Sequence, residues 1–342
     1  MIALAVAAVG LLAAVSGCNH SGDDLYADYA ARLERLLDVD IPQPDVQPAA
    51  TWPRARDRLQ AIPDVRVGVG EAWALRPCLE AALARRNSVL GKVMPPSQQL
   101  MHEHGFRQDA NACLQDGAAA ADPDLAAAVE AALAAKANAV PRAVYNLLMG
   151  DAQLAAFWRL AVPPLPPDAD RRMPAAEWQA LASLLSQVLD GEPVQDGGLE
   201  TLLGRMQGTV GFGEVVQAEW LATAWLQAIN RAMQARLDQR PVCFEGRTTP
   251  TAKRLQTVLQ QVFIGRIQPH LADLARRRQA VAPAARSVLQ QVAHWHTPAV
   301  QHWQAEVLGP DGAEQRFRQA ARQHVQVWNR LLQQCGLQAG NR

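Results

Sequence analysis

Apolar residues recur at helical spacing along almost the whole chain. Leu25, Tyr29, Leu33, Leu36 and Leu37 form one stripe, with Asp23 and Asp24 at its start, where carboxylates meet the positive end of a helix. Further stripes predict helices over residues 77–90, with Pro77 in the first turn and Gly91 at the end, then over 98–114, 122–140, 142–149 and 151–162. The second half reads as longer helices over 175–189, 199–206, 212–237, 251–280, 283–294, 297–308 and 311–334, the last closed by Gly336. Alternation is confined to residues 62–70, which predicts one short extended segment. Pro42, Pro44, Pro48 and Pro53 keep residues 39–53 out of a helix. Pro163-Pro164-Leu165-Pro166-Pro167 is a stiff connector, either a long link between helices or a sub-boundary at 163–170. The fold class is therefore all-α: an irregular multi-helix domain over residues 25–336 with long Pro-rich connectors and a disordered tail at 337–342. Trp220, Trp225, Trp303 and Trp328 lie on the stripes and are expected in the core.

The first residues obey a different pattern. Residues 2–15 are an unbroken apolar run, too short for a bilayer span of about 20 residues but suited to a signal-peptide core. The run ends in Val15-Ser16-Gly17-Cys18, which is similar to a bacterial lipobox: an aliphatic residue, two small ones, then the Cys whose sulfur takes the diacylglycerol. Residues 1–17 are thus read as a lipoprotein signal peptide, Cys18 as the lipidation site and 18–24 as a short tether. No Lys or Arg precedes Cys18, so a translation start a few codons upstream is expected. Asn19, rather than Asp, follows the Cys; by resemblance to lipoprotein sorting signals this favours the outer membrane, with the domain facing the periplasm and the membrane contacted through the lipid.

Composition sharpens this picture in two places. Charged residues are 19% and hydrophobic ones 49% of the 342, which excludes disorder through excess charge. The net charge is zero, yet residues 251–342 carry twelve Lys or Arg against four Asp or Glu. A nucleic-acid partner is not expected in an exported chain. A basic face for phosphorylated lipid or another envelope polyanion is the sharper reading, mutual attraction of the two halves the plainer one. Beyond Cys18, four cysteines remain, and an oxidising compartment suggests two disulfides in one of three pairings. Cys78–Cys113 and Cys243–Cys335 are favoured, because each pair falls within one run of the chain flanked by helical patterns.

Candidate chemistry is sparse. His102-Glu103-His104 places two imidazoles about 200° apart on a helix, so a metal reading gives way to surface histidines. His294-Trp295-His296 with His302 meets the same obstacle unless Pro298 breaks the helix and turns the later His back. Ser88 and Lys92 share a helix face at i and i+4, but Gly91 and a helix end between them disfavour a nucleophile pair. Gly68-Val69-Gly70 and Gly211-Phe212-Gly213 lack the third glycine of a dinucleotide loop and read as turns. No catalytic residue, metal or cofactor is expected.

At Arg86-Asn87-Ser88-Val89-Leu90-Gly91-Lys92-Val93-Met94-Pro95-Pro96-Ser97-Gln98 the chain resembles the proteobacterial lipoproteins grouped as domain-of-unknown-function family 3080. Leu33-Glu34-Arg35-Leu36-Leu37, Pro53-Arg54, Ile62-Pro63, Cys78, Cys113, Cys243-Phe244, Thr249-Pro250 and Gln268-Pro269-His270-Leu271 fit the same pattern. The resemblance implies a lipoprotein domain from about Leu25 to Cys335 and carries no activity. Arg86, Asn87, Ser88 and Lys92 form an unusual polar cluster, read either as bonding a helix end to its neighbours or as a ligand-facing patch. The expected function is a non-enzymatic module that binds an envelope protein or lipid. An envelope hydrolase acting on lipid or cell wall is the alternative, and an architectural role a third reading.

Overall fold

The computed structural model describes residues 22–62, 69–87, 93–195 and 197–337. Helices and connecting segments make up those residues, with no strand among them. Of residues 62–70, expected to be extended, 63–68 lie outside the description, and Val69 and Gly70 already belong to a helix.

Helix α1, Gly22–Leu37, opens with Asp23 and Asp24 in its first turn and buries Leu25, Tyr26, Tyr29, Leu33 and Leu37. It starts three residues earlier than the tether reading allows, because Asp23 accepts from Trp225 Nε1 at 2.7 Å and is held against the fold. The Pro-rich segment that follows carries only the single turn α2, Ala55–Arg58. Helix α3, Val69–Asn87, overturns the expectation that Pro77 begins a helix. The chain is helical before it, and the backbone breaks at Leu79 (φ −128°, ψ 20°) instead. A proline here removes one helical N–H and crowds the preceding turn, so the helix kinks rather than starts.

Helices α4 (Pro96–Gln115), α5 (Pro123–Ala135), α6 (Ala139–Gly150) and α7 (Ala152–Trp158) follow. Asp122 and Asp151 cap α5 and α7 through their carboxylates. After the proline connector come α8 (Ala175–Asp190), α9 (Gly198–Arg205) and α10 (Phe212–Gln239). Gly211-Phe212-Gly213 is not a free turn but the start of α10. A side chain at Gly213 would sit 1.7 Å from the Arg159 carbonyl oxygen, so only glycine lets the helix press on that backbone. Helix α11 (Pro250–Val258) runs through a π-helical stretch, Leu259–Ile267, into α12 (Gln268–Gln291), which continues past Pro283 where a new helix was expected. Helices α13 (Pro298–Leu308) and α14 (Ala313–Gln334) complete the order. Gly336 at φ 64° and a bond from Leu337 N–H to Leu332 O (2.9 Å) close α14, so Leu337 is fixed rather than part of a loose tail.

Three larger apolar cores result, beside a small cluster of Cys243, Ala252 and Cys335. The first lies among α6, α7, α8, α9, α13 and the later turns of α12, and is built on Trp158, Trp178 and Trp303. The second joins α1, α10, α11, the π-helical stretch, α14 and the start of α12. A smaller third core packs α3, α4 and α5 around Leu79, Phe106 and Val129. Helix α10 serves the first two, giving Phe212, Val216 and Trp220 to one and Val215, Leu221, Trp225 and Ile229 to the other. Between them Arg278 of α12, 1% exposed, forks onto Glu219 of α10, 0% exposed, and donates to Val307 O at 3.0 Å. The proline connector lies along this body: Leu165 is buried with its N–H on Glu214 O at 3.0 Å, and Arg277 donates to Ala169 O and Arg171 O.

Both favoured disulfides are present. Cys78–Cys113 ties α3 to α4, and Cys243–Cys335 ties the loop after α10 to the end of α14, with Cα atoms 5.5 and 5.0 Å apart. On chain-entropy grounds, loops of 35 and 92 residues each stabilise by about 4 kcal/mol.

Candidate binding groove

The second core opens to the surface. The π-helical stretch with the first turns of α12 on one side and α14 on the other leave a groove of about 560 Å³ between them, walled by Phe263, Leu271, Phe317, Ala321 and Val325 and edged by Arg318 and Arg322. Phe317, Ala321 and Val325 stand at i, i+4 and i+8, so they form one apolar ridge on α14. Val325 remains 47% exposed on that ridge, and Ile264 is 45% exposed on the π-helical stretch. On the opposite wall the π-helical turns hold more residues per turn than an α-helix, which shifts the side-chain register beside Gly265.

Phe263 is the floor, and what lies beneath it fixes its position. Its ring stacks on Tyr29 at 6.1 Å and meets His324 at 4.6 Å. His324 is fully buried, and burial pushes its imidazole down to about 3, so it is neutral. The tautomer follows from its neighbours. Trp328 Nε1 can only donate, and it reaches both Tyr29 Oη (2.7 Å) and His324 Nε2 (3.0 Å). His324 Nε2 therefore accepts, from Trp328 and from Tyr29 Oη at 2.8 Å, and His324 Nδ1 donates to Asn230 Oδ1 at 2.6 Å. Asn230 Nδ2 passes the chain on to Ala320 O at 3.1 Å. Four side chains from α1, α10 and α14 are locked in one network, all of them buried. Its members, at most 3% exposed, hold one another and the Phe263 ring above them in fixed geometry.

A second, smaller opening of about 280 Å³ lies between α3, α4 and residues 193–194, bordered by Arg85, His102, His104, Gln108 and Asp109. It corrects one expectation. His102, Glu103 and His104 are buried, 3–5% exposed, because α4 packs against α3 and α5 on one side and α6 on another, leaving little surface to its polar residues. Glu103 is paired with Lys136, whose ammonium also lies 4.6 Å over the Phe106 ring. His104 is held below its ordinary value by burial and by the adjacent Arg107. Arg107 itself donates to Val188 O and Leu189 O at the end of α8.

The remaining candidates separate. His294 and His302 are exposed while His296 is buried against Tyr145, and among the described residues no three His, Cys, Asp or Glu side chains converge as metal ligands. Trp220, Trp225, Trp303 and Trp328 are all core residues. Arg276, Arg277 and Arg278 each hold a carboxylate. Cys18 lies outside the described residues, as do Ser88, Lys92 and the side chains of Arg86 and Asn87, so the polar cluster is not among the sites described. The reasoning from sequence missed the groove. The ridge at 317, 321 and 325 was the signal available for it, because it widens the apolar face of α14 beyond the stripe that the core uses.

A family model for proteins of unknown function, DUF3080, matches residues 26–339. The chain belongs to this family. The DUF3080 match covers every helix described here except the first turn of α1, and so takes in both walls of the groove and all four network residues. No curated protein and no solved structure matches the chain. No helix among the described residues is long and apolar enough to cross a membrane.

Proposed function

We propose that this DUF3080 protein is a non-catalytic binding module, held at the outer membrane by lipid on Cys18 and facing the periplasm, with the groove between the π-helical stretch and α14 as its binding face. The observation that carries the binding face is the groove itself: an apolar slot of about 560 Å³, within the roughly 300–1,000 Å³ typical of ligand sites, floored by a ring that a buried network holds in place. A side chain such as Val325 left 47% exposed beside Phe317 has a cost in water that a ligand would relieve. The anchor rests on the apolar run at 2–15 and the Val15-Ser16-Gly17-Cys18 box. With α1 starting at Gly22, residues 18–21 would hold the body within about 15 Å of the bilayer.

The test has two arms in the native cell. Mass analysis of the isolated protein should find an acylated Cys18 at the mature N-terminus; an intact Met1 with unmodified Cys18 ends the anchor. A photo-crosslinking residue at position 325 should capture a partner or ligand, and one at Arg254, exposed on α11 and outside the groove lining, should not. Equal capture at both, or at neither, ends the binding face.

A further inference from the structure

We infer that the groove takes the acyl chain of a long-chain fatty acid, with the carboxylate on Arg322. This inference rests on the groove being the binding face and names what would fill it. Three observations lead there. The first is scale. Ten residues line the groove, whereas a stable protein interface engages about 20–30 residues on each side. The walls, Phe263 to Ala272 and Phe317 to Gln326, each run ten residues of helix, about 15 Å, which is the span of an extended chain rather than of a folded surface.

The second is the lining. Phe263, Leu271, Ala272, Phe317, Ala321 and Val325 offer carbon along the whole length, and the polar side chains sit at the rim. A chain of methylenes needs no hydrogen bond, whereas a peptide laid there would leave backbone N–H and C=O groups against carbon.

The third is charge. Arg318 at the rim already holds Glu314 at 2.6 Å, and Arg266 reaches Asp28 at 3.5 Å. Arg322, exposed on α14 one turn from Arg318, has no acidic partner among the described residues. One unmatched guanidinium beside an apolar slot suits one carboxylate, which it can hold by two parallel N–H bonds. A zwitterionic head group would bring an ammonium to a rim whose neighbouring carboxylates, Asp28, Asp273 and Glu314, are already engaged.

The experiment labels the full chain in its own membrane with a diazirine-bearing tetradecanoate and maps the attachment by mass spectrometry. Attachment is expected within residues 263–272 and 317–326. Competition by unlabelled fatty acids should strengthen about two- to fourfold for each added methylene until the groove is filled, then level off. Ala321→Trp, which fills the slot from a partly exposed position, should cut labelling at least tenfold. Arg322→Glu should cut it about three- to tenfold, the scale of a partly exposed charge-assisted contact. Arg254→Glu, the same charge change on α11, should leave it unchanged.

Several results would overturn the inference. They are labelling elsewhere on the chain, equal competition by tetradecanol, stronger competition by a lysophosphatidylglycerol, an equal loss with Arg254→Glu, or a dimer that Ala321→Trp disperses. Capture of a protein at position 325 without fatty-acid labelling would remove this inference and leave the binding module standing. Fatty-acid labelling of a chain unmodified at Cys18 would do the reverse to the anchor.

Discussion

The two large cores use the same bulky residue in opposite ways. In the first, Trp158 meets Phe157, Trp178 and Trp303, and Trp178 meets Phe157, at ring separations of 5.0–5.3 Å, and none of the three indole N–H groups has a nitrogen or oxygen partner among the described residues. In the second, Trp225 donates to Asp23 and Trp328 to Tyr29 and His324. Aromatic packing of the first kind depends on area and shape and tolerates small adjustments. A network of directed bonds tolerates few, because each broken link strands a buried polar atom. The directed bonds lie beneath Phe263 and the groove, and the adaptable packing lies in the core away from it.

The largest expected effect tests how the two cores are joined. Replacing Arg278 by Met leaves the Glu219 carboxylate buried without its guanidinium and should destabilise by about 3–5 kcal/mol. Replacing both, Glu219→Leu with Arg278→Met, should recover most of that loss, since a buried pair contributes little against an apolar pair of similar volume. Urea unfolding followed by tryptophan fluorescence reads both variants. A single-variant loss under 1 kcal/mol would mean the seam does not couple the cores.

Acid distinguishes the cores next. Burial pushes His324 down to about 3 and His270, also in the second core, down to about 4. The groups facing these two imidazoles explain why relief is scarce. His324 sees Tyr29, Asn230, Phe263 and Trp328, none charged, and His270 sees Tyr26 with Asp273 and Arg277, whose effects oppose each other. Both folded values lie below the ordinary 6.5, so the unfolded chain binds more protons as pH falls from about 6.5 toward 4. Stability is complete above that window and drops through it by about 1.4 kcal/mol per pH unit for each histidine. Hydrogen exchange at pH 5 should show α1 and α14 opening before α8 and α9. Equal acceleration in all four helices would remove the distinction.

How much of this was legible depends on whether a feature is local. The helices expected over 175–189, 199–206, 212–237, 297–308 and 311–334 match to within a few residues because the stripes are long and ends such as Gly191 and Gly336 are explicit, whereas 251–280 and 283–294 are divided differently, with a π-helical stretch in the first and no break at Pro283. The cysteine pairing was legible for the same reason, as each pair closes one stretch of chain. Three features were not. Pro77 and Pro283 read as helix starts, yet both lie inside helices, the first with a kink at Leu79 two residues on, because packing on either side holds the flanking turns together. His102 and His104 read as surface residues, because nothing in α4 itself says that it is enclosed on several sides. The π-helical register of 259–267 leaves no mark beyond Gly265, so the wall carrying Phe263 could not be drawn from spacing alone.

The smallest effect is the most direct on the comparison, because it makes the same substitution in both cores. Trp→Phe removes similar volume at positions 158 and 328, each within 2% of full burial, so the cavity cost is similar. What differs is the indole N–H. At 158 the change deletes a donor that had no polar acceptor, and the desolvation it carried disappears with it. At 328 it leaves Tyr29 Oη without one of its two partners and His324 Nε2 with only the tyrosine proton, in a site that neither can leave. Trp328→Phe should therefore cost about 1–2 kcal/mol more than Trp158→Phe in urea midpoints at matched slopes. It should also loosen the ring of Phe263 above it, lowering tetradecanoate labelling where Trp158→Phe leaves it unchanged. Equal costs would mean that the second core, too, is held by shape rather than by its bonds, and that the groove floor has no need of the network beneath it.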